Sequence, residues 1–373
     1  MTRTLPSTPA ADGFRMPGEF EPHSGCWMLW PERPDNWREA ARPAQLAFTQ
    51  VATAIAQFEL VTVGVSAAHY GAARALLPEQ VRVIEMAHDD AWMRDVGPSC
   101  VVDGRGRVRG VDWRFNAWGG LNGGLYFPWD QDDLVARKVL ETERLERYRA
   151  PMVNEGGAIH VDGEGTALVT EECLLNPNRN PRFERADVER HLREYLGVTR
   201  IIWLGKGVVD DETGGHIDDL ACFARPGVVC VTWTDRRRDP QYLVSLDAFE
   251  RLQAARDARE RRLKVIRLPM PGPLHMRARE AAGIIASEGS RPRVAGERLA
   301  ATYVNFYIAN GGVVMPLLDK RTDAEAAARL KRLFPGRRVV GVPSREILLG
   351  GGNVHCITQQ IPAGTRSRSP SAR

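Results

Sequence analysis

With 373 residues, 43% of them apolar and 26% charged, the chain has ordinary globular composition and enough length to bury a large core. The formal charge is only +4, and Arg366, Arg368 and Arg373 supply three of those charges, so no basic stripe points to nucleic acid. No run of 18 apolar residues suggests a membrane span, and six cysteines without a Cys-x-x-Cys pair read as reduced cytoplasmic thiols rather than a disulfide or zinc framework. Residues 1–13 lack the apolar stretch of a signal peptide. They and residues 363–373 are expected to be disordered tails around a single domain, 14–362.

Along that domain, helical periodicity is expected at 43–57, 133–148, 185–195 and 323–334, and buried strands at 61–65, 200–204 and 339–342. Between them a local pattern recurs. Arg94-Asp95-Val96-Gly97-Pro98 precedes a strand-like run that turns at Asp103-Gly104 and returns to Trp113. Glu155-Gly156-Gly157 precedes a run turning at Asp162-Gly163. Gly214-Gly215-His216 leads straight into a strand expected over 217–223, with a turn at Pro226-Gly227. A fourth copy starts at Tyr303 and turns at Asn310-Gly311. Asp95 to Glu155 is 60 residues and Glu155 to His216 is 61. A ββαβ unit repeated at that spacing predicts an α/β fold arranged radially, with the leading ends of its hairpins meeting at one centre. An ordinary α/β sheet with coincidentally similar loops is the competing architecture.

The chemistry-bearing residues stand where the hairpins begin: Asp95, Glu155, His216 with Asp218, and Cys356 behind Gly350-Gly351-Gly352-Asn353-Val354-His355. Singly, each has a structural reading: a buried thiol, a satisfied histidine, an ion pair of Asp95 with Arg94, a loop glutamate. Together they suit a guanidinium, which is planar, cationic and matched by carboxylate forks. Asp95 and Asp218, expected ionised and unpaired, would clamp it, and Trp92 would stack on it or cover methylenes. Cys356 would attack the central carbon, helped as a thiolate by the bound cation. His216 would move the protons, with Glu155 orienting its ring. Asp219, as the next residue on a strand, is expected to face the other way from Asp218. A divalent ion on His216, Asp218, Asp219 and Glu155 is the rival reading, although no His-rich cluster or H-E-x-x-H motif accompanies it. Cys26, Cys100, Cys173, Cys222 and Cys230 read as structural.

Several long strings then carry a family resemblance. Trp92-Met93-Arg94-Asp95-Val96-Gly97-Pro98, Glu155-Gly156-Gly157-Ala158-Ile159-His160, Asp211-Glu212-Thr213-Gly214-Gly215-His216-Ile217-Asp218 and Gly350 through Gln360 resemble the agmatine deiminases, as do Met16 through His23 and Glu171 through Asn176. The resemblance spans about residues 14–362. It implies the five-bladed, pseudo-symmetric α/β propeller (pentein) of the guanidine-modifying superfamily. It also implies hydrolysis of agmatine to N-carbamoylputrescine and ammonia, a step of putrescine and polyamine synthesis, without metal or organic cofactor. By motif, Cys356 corresponds to the nucleophile, His216 to the general acid/base, Glu155 to its partner, and Asp95 and Asp218 to the clamp. Two departures are Gly214, where the family often has a polar residue, and Asp219, where it often has Asn. The remaining alternatives are deimination of free or peptidyl arginine and, from another class, a non-catalytic propeller that binds ribosomes. Retention of Cys356 with His216 speaks against the last. The small guanidino molecule is the expected partner, with no nucleic acid or membrane, and assembly into a homo-oligomer is left open.

Overall fold

The computed structural model describes residues 2–364. The four expected hairpins form as antiparallel pairs: Ser99–Asp103 with Val108–Arg114, His160–Val161 with Thr166–Thr170, Ala221–Arg225 with Val228–Trp233, and Tyr307–Ala309 with Gly312–Leu317. In each, the second strand then pairs in parallel with one that arrives after a helical or loop crossover: Glu146–Val153, Arg200–Leu204, Lys264–Pro269 and Arg338–Pro343. A fifth unit is assembled from both ends of the chain. Gln359–Pro362 lies antiparallel on His23–Leu29, which pairs in parallel with Val61–Val65 through the helix Arg42–Ile55. This α/β protein is thus built on mixed sheets in which an antiparallel pair is extended by a parallel strand, with a separate antiparallel pair of Leu274–His275 and Arg298–Leu299.

The helices cover the sheets with one apolar face. Arg42–Ile55 buries Ala44, Phe48, Val51, Ala52 and Ile55, a helical spacing, and carries Pro near its start, where the missing N–H is harmless. The expected helix 133–148 is shorter. It occupies Val135–Thr142 and stops where Arg144 turns to φ 57°, after which Glu146–Val153 extends and buries Tyr148, Ala150 and Met152. Among the described residues no helix is long and apolar enough to cross a membrane.

The N-terminal segment departs from expectation. Leu5 N–H donates to Arg147 O at 2.8 Å, Ala10 N–H to Glu194 O at 3.0 Å, and the Asp12 carboxylate accepts from Ser7, Arg109 and Tyr148. A few anchoring side chains hold a stretch whose average composition suggested a loose tail. At the other end Ala363 N–H donates to Pro22 O, and residues 365–373 of the second expected tail lie outside the described residues.

One feature positions the chemistry. Ahead of three of the hairpins the chain makes a short helical turn instead of running directly into the strand: Met93–Val96, Gly156–Ala158 and Ile217–Leu220. A further turn at 354–357 precedes Gln359–Pro362. These turns carry or adjoin Asp95, Glu155, His216 with Asp218, and Cys356, all of them buried.

Candidate active site

Glu155 and His216 stand immediately before their turns, and the two side chains meet, with His216 Nε2 3.4 Å from Glu155 Oε2. The other ring nitrogen, Nδ1, lies 3.8 Å from Asp95 Oδ2 and 3.9 Å from Asp218 Oδ1, so the imidazole sits among three carboxylates. Asp95 is fixed by the Trp118 indole N–H at 2.9 Å and by Gly157 N–H at 2.8 Å. Gly157 must be glycine here, because a Cβ would come within 2.5 Å of His216 Nδ1 and 2.8 Å of Asp95 Oδ1. The Cys356 thiol is 3.8 Å from Asp218 Oδ2 and receives an amide N–H from Asn305 at 3.1 Å. Gly352 gives it room: a Cβ there would lie 2.5 Å from the Trp92 ring and 3.1 Å from Cys356 Sγ.

The sequence-derived set therefore converges, with Trp92 as part of its wall. Trp92 is buried, its ring centroid 5.2 Å from that of Trp37, and its indole N–H is bonded to Asp90. A narrow gap bounded by Trp92, Trp118, Tyr126 and Asp90 lies on this side, and a wider cavity of about 290 Å³ opens beside Gly351 and Glu212.

The electrostatics of the empty site are lopsided. Burial pushes Asp95 up to about 6 against the pull of His216, with repulsion from Asp218 and Glu155 adding to the rise. Asp219 is raised well above the carboxylate range by burial and by Asp218 and Asp211. Burial and the surrounding Asp218, Asp219 and Asp95 raise the Cys356 thiol well above its usual value, so it is protonated when no cation is bound. Burial opposes charge on His216, but Asp95, Cys173 and Glu155 together outweigh it and favour the imidazolium. Burial also works against charge on Glu155, yet Arg179 and His216 bring it down to about 2.

Two expectations need correction. Asp219 does not face away: because 217–220 is a helical turn and not a strand, successive side chains are about 100° apart, and Asp219 is buried with donor atoms in one group with Asp218 and Cys356. Asp95 is not unpaired, since both its oxygens accept hydrogen bonds, and Asp218 accepts from His355 with only Oδ1 left without a partner. Cys173 is buried in an apolar cluster as expected, with its Sγ 4.0 Å from Glu155 Oε2.

Other residues escaped sequence reasoning. Arg179 donates to Glu155 Oε1 at 3.1 Å and to Thr213 O, with both ion-pair partners fully buried. Trp118 braces Asp95. Asn305 accepts from the backbone of both His355 and Cys356 while donating to the thiol. Its position just ahead of Tyr307–Ala309 matches that of Asp95 and Glu155 in their units, which was the signal available. As for metals, among the described residues three groups hold donor atoms within 4.8 Å of one another: Glu19, His160 and His355; Glu155, Cys173 and His216; Asp218, Asp219 and Cys356. The four-residue set of the metal reading is split between the last two.

Known proteins resemble this chain over nearly its whole length. The model of the Porphyromonas-type peptidyl-arginine deiminases matches residues 15–362. The agmatine deiminase of Ectopseudomonas mendocina (strain ymp) is 58% identical over 362 residues, covering 96% of this chain and 98% of that protein. That of Pseudomonas aeruginosa (strain LESB58) is 58% identical over 359 residues, with the same coverage of 96% and 98%. The solved agmatine deiminase of Enterococcus faecalis superposes with a TM-score of 0.95 at 48% identity, covering 97% of this chain and 100% of that one. By sequence and by structure, the chain belongs to the Porphyromonas-type peptidyl-arginine deiminase family, among its agmatine deiminases.

Proposed function

We propose that the protein hydrolyses agmatine to N-carbamoylputrescine and ammonia through a covalent amidino-cysteine. The observation that carries this reading is the meeting of a thiol, an imidazole and three carboxylates at the heads of the hairpins, in a chain 58% identical to agmatine deiminases. Asp95 and Asp218 receive the guanidinium. Its positive charge offsets the carboxylates that hold the Cys356 proton in place, so binding itself favours the thiolate. The thiolate attacks the central carbon. The tetrahedral intermediate collapses with loss of one terminal nitrogen, protonated by His216 and leaving as ammonia, with sulfur still bonded to the amidino carbon. His216, now neutral, takes a proton from water; the resulting hydroxide adds to the same carbon, and the C–S bond breaks as the hydroxyl proton passes to sulfur, restoring the Cys356 thiol and releasing the ureido product, while the proton that Cys356 gave up on binding leaves with ammonia as ammonium. Glu155, held by Arg179, keeps the ring oriented. The C. jejuni agmatine deiminase solved with substrate bound has serine in place of a cysteine, which accords with a cysteine as the reacting group.

Arginine would bring a carboxylate needing its own cation. Arginines bordering this site are held by other partners: Arg94 by Gln360 and Glu19, Arg179 by Glu155, Arg293 by Glu212, Arg298 by Asp239, with Arg33 on Asp35 and Arg291 more loosely on Glu212. That favours agmatine over free or peptidyl arginine. Ammonia release from agmatine, arginine and a peptidyl-arginine, measured side by side, tests it. Faster release from either arginine substrate overturns the assignment.

The same reading extends to the architecture. The five ββαβ units are taken as blades of a pentein propeller forming one domain over 14–362, the fifth blade closed by the pairing of Gln359–Pro362 with His23–Leu29. We place the enzyme in the cytoplasm, in putrescine synthesis from arginine, as a monomer or a homo-oligomer.

A further inference from the structure

His355 precedes the nucleophile, yet its ring bonds behind the site. Nδ1 lies 2.7 Å from Asp218 Oδ2 and Nε2 lies 2.7 Å from Glu19 Oε2. A neutral imidazole has one N–H, and an ionised carboxylate only accepts, so both bonds are satisfied together when the ring is a cation between two anions. Glu19 is itself held: Ile308 N–H donates to Oε1 at 2.8 Å, and Arg94, anchored by Gln360, lies 3.6 Å from Oε2. His160 stacks on His355 with centroids 6.3 Å apart, and its Nδ1 accepts from Phe223 N–H, as a neutral ring can. With the Cys222 thiol, these are the titratable and charged groups that face His355. The balance is two cations, Arg94 and His355, against two anions, Glu19 and Asp218. One consequence reaches the site: Asp218 has Oδ2 tied and Oδ1 without a hydrogen-bond partner, 3.9 Å from His216 Nδ1.

We propose that His355, braced by Glu19, is a positioning residue that fixes the Asp218 carboxylate with one oxygen free for the substrate guanidinium. This rests on the reading of Asp218 as a substrate ligand. The same peptide segment then sets both reaction partners, because Asn305 Oδ1 accepts from the N–H of His355 and of Cys356. A shift of this turn moves clamp and nucleophile together.

The test compares His355→Gln, Glu19→Gln, Asp218→Asn and the double variant His355→Gln/Asp218→Asn, with kcat and KM for agmatine followed across pH. Loss of a charge-assisted bond to the clamp should raise KM in His355→Gln about ten- to a hundredfold, with kcat changed by only about a few-fold. The acid limb of kcat/KM should move to higher pH, since Asp218 without its imidazolium protonates more readily beside Asp95 and Asp219. Glu19→Gln, nearly isosteric, should show the same pattern more weakly, and it carries the test if His355→Gln does not fold. In the Asp218→Asn background the His355 effect should vanish. An undiminished effect there, or a fall in kcat with KM and the acid limb unchanged, overturns the inference while leaving the clamp intact. Wild-type KM in Asp218→Asn overturns the clamp reading and this one with it.

Discussion

The two sides of Asp218 are organised on opposite principles. Behind it, Glu19, His355 and Arg94 match charge for charge, and their neighbours hold Glu19 well below the usual carboxylate range. In front, Asp95, Asp219 and the Cys356 thiol are all pushed upward, and Asp218 Oδ1 and Asp219 Oδ1 lack hydrogen-bond partners. The rear network is complete without a ligand. The front sets the His216 imidazolium among several carboxylates, and a second cation that binds there relieves repulsion the fold already carries. Active sites store such imbalance where the surrounding structure can hold it.

The largest expected effect comes from removing the reacting atom on the front side. Cys356→Ala should lower turnover by about four to six decades while agmatine still binds, because the carboxylates remain. Mass spectrometry of wild-type enzyme quenched during turnover should find the amidino increment on Cys356. An adduct on Cys173 instead would relocate the chemistry.

Asp95→Asn separates function from stability. Removing one charge of the clamp should cost about two to four decades in kcat/KM. The stability difference from wild type should shift with pH. Asp95 goes from 3.8 to about 6 on folding, so its ionised form opposes folding at neutral pH; the penalty is absent below 3.8, builds up between 3.8 and 6, and levels off at about 3 kcal/mol. The variant, whose amide offers one acceptor to the two N–H donors of Trp118 and Gly157, should melt lower than wild type near pH 4 and regain ground relative to it by pH 7.5. An equal difference in melting temperature at both pH values would mean that Asp95 is not strained. In the wild-type enzyme the same group predicts that kcat/KM falls as pH drops below about 6.

Asp219→Asn tests the neutral member of the front. A carboxyl that is already protonated loses no charge when it becomes an amide of the same shape, so kcat/KM should change by less than about tenfold near neutrality. A loss of two decades would show that Asp219 is ionised and shares the cation with Asp218.

Asp219 also marks where the sequence was legible and where it was not. Hairpins announced themselves through turns such as Asp103-Gly104 and Asp162-Gly163, and the 60- and 61-residue spacing put Asp95, Glu155 and His216 at equivalent places. The short turn Ile217–Leu220 had no such signature. Four residues offer too little periodicity to tell a helical turn from a strand, and that single difference swung Asp219 from solvent to the nucleophile. Arg179 and Asn305 act through contacts 24 and 51 residues away in sequence, which local pattern cannot report. His355 stood beside Cys356 in the most recognisable string of the chain, but the direction of its ring is set by Glu19, which is 336 residues distant.

The smallest expected effect is that of a chelator, and it bears on whether the front is completed by substrate or by a metal ion. Among the described residues three groups of side chains have donor atoms close enough for an ion; two are tied up in ion pairs, and the third, Asp218, Asp219 and Cys356, keeps two carboxylate oxygens free but carries a thiol that burial and its neighbours hold in the protonated form. Glu155 binds Arg179 and His216, and Glu19 binds His355. His216, favoured as the imidazolium by Asp95, Cys173 and Glu155, has no lone pair to offer until it loses a proton. A divalent ion would have to displace that proton and the Arg179 contact, whereas a guanidinium keeps both and meets the free oxygen of Asp218. Dialysis against a strong chelator should therefore leave agmatine hydrolysis within about twofold of its starting rate, since the proposed water activation runs through His216 and needs no Lewis acid. Activity that disappears in the chelator and returns with an added divalent ion would assign the unbalanced carboxylates to a metal, and the guanidinium would then have to be held elsewhere.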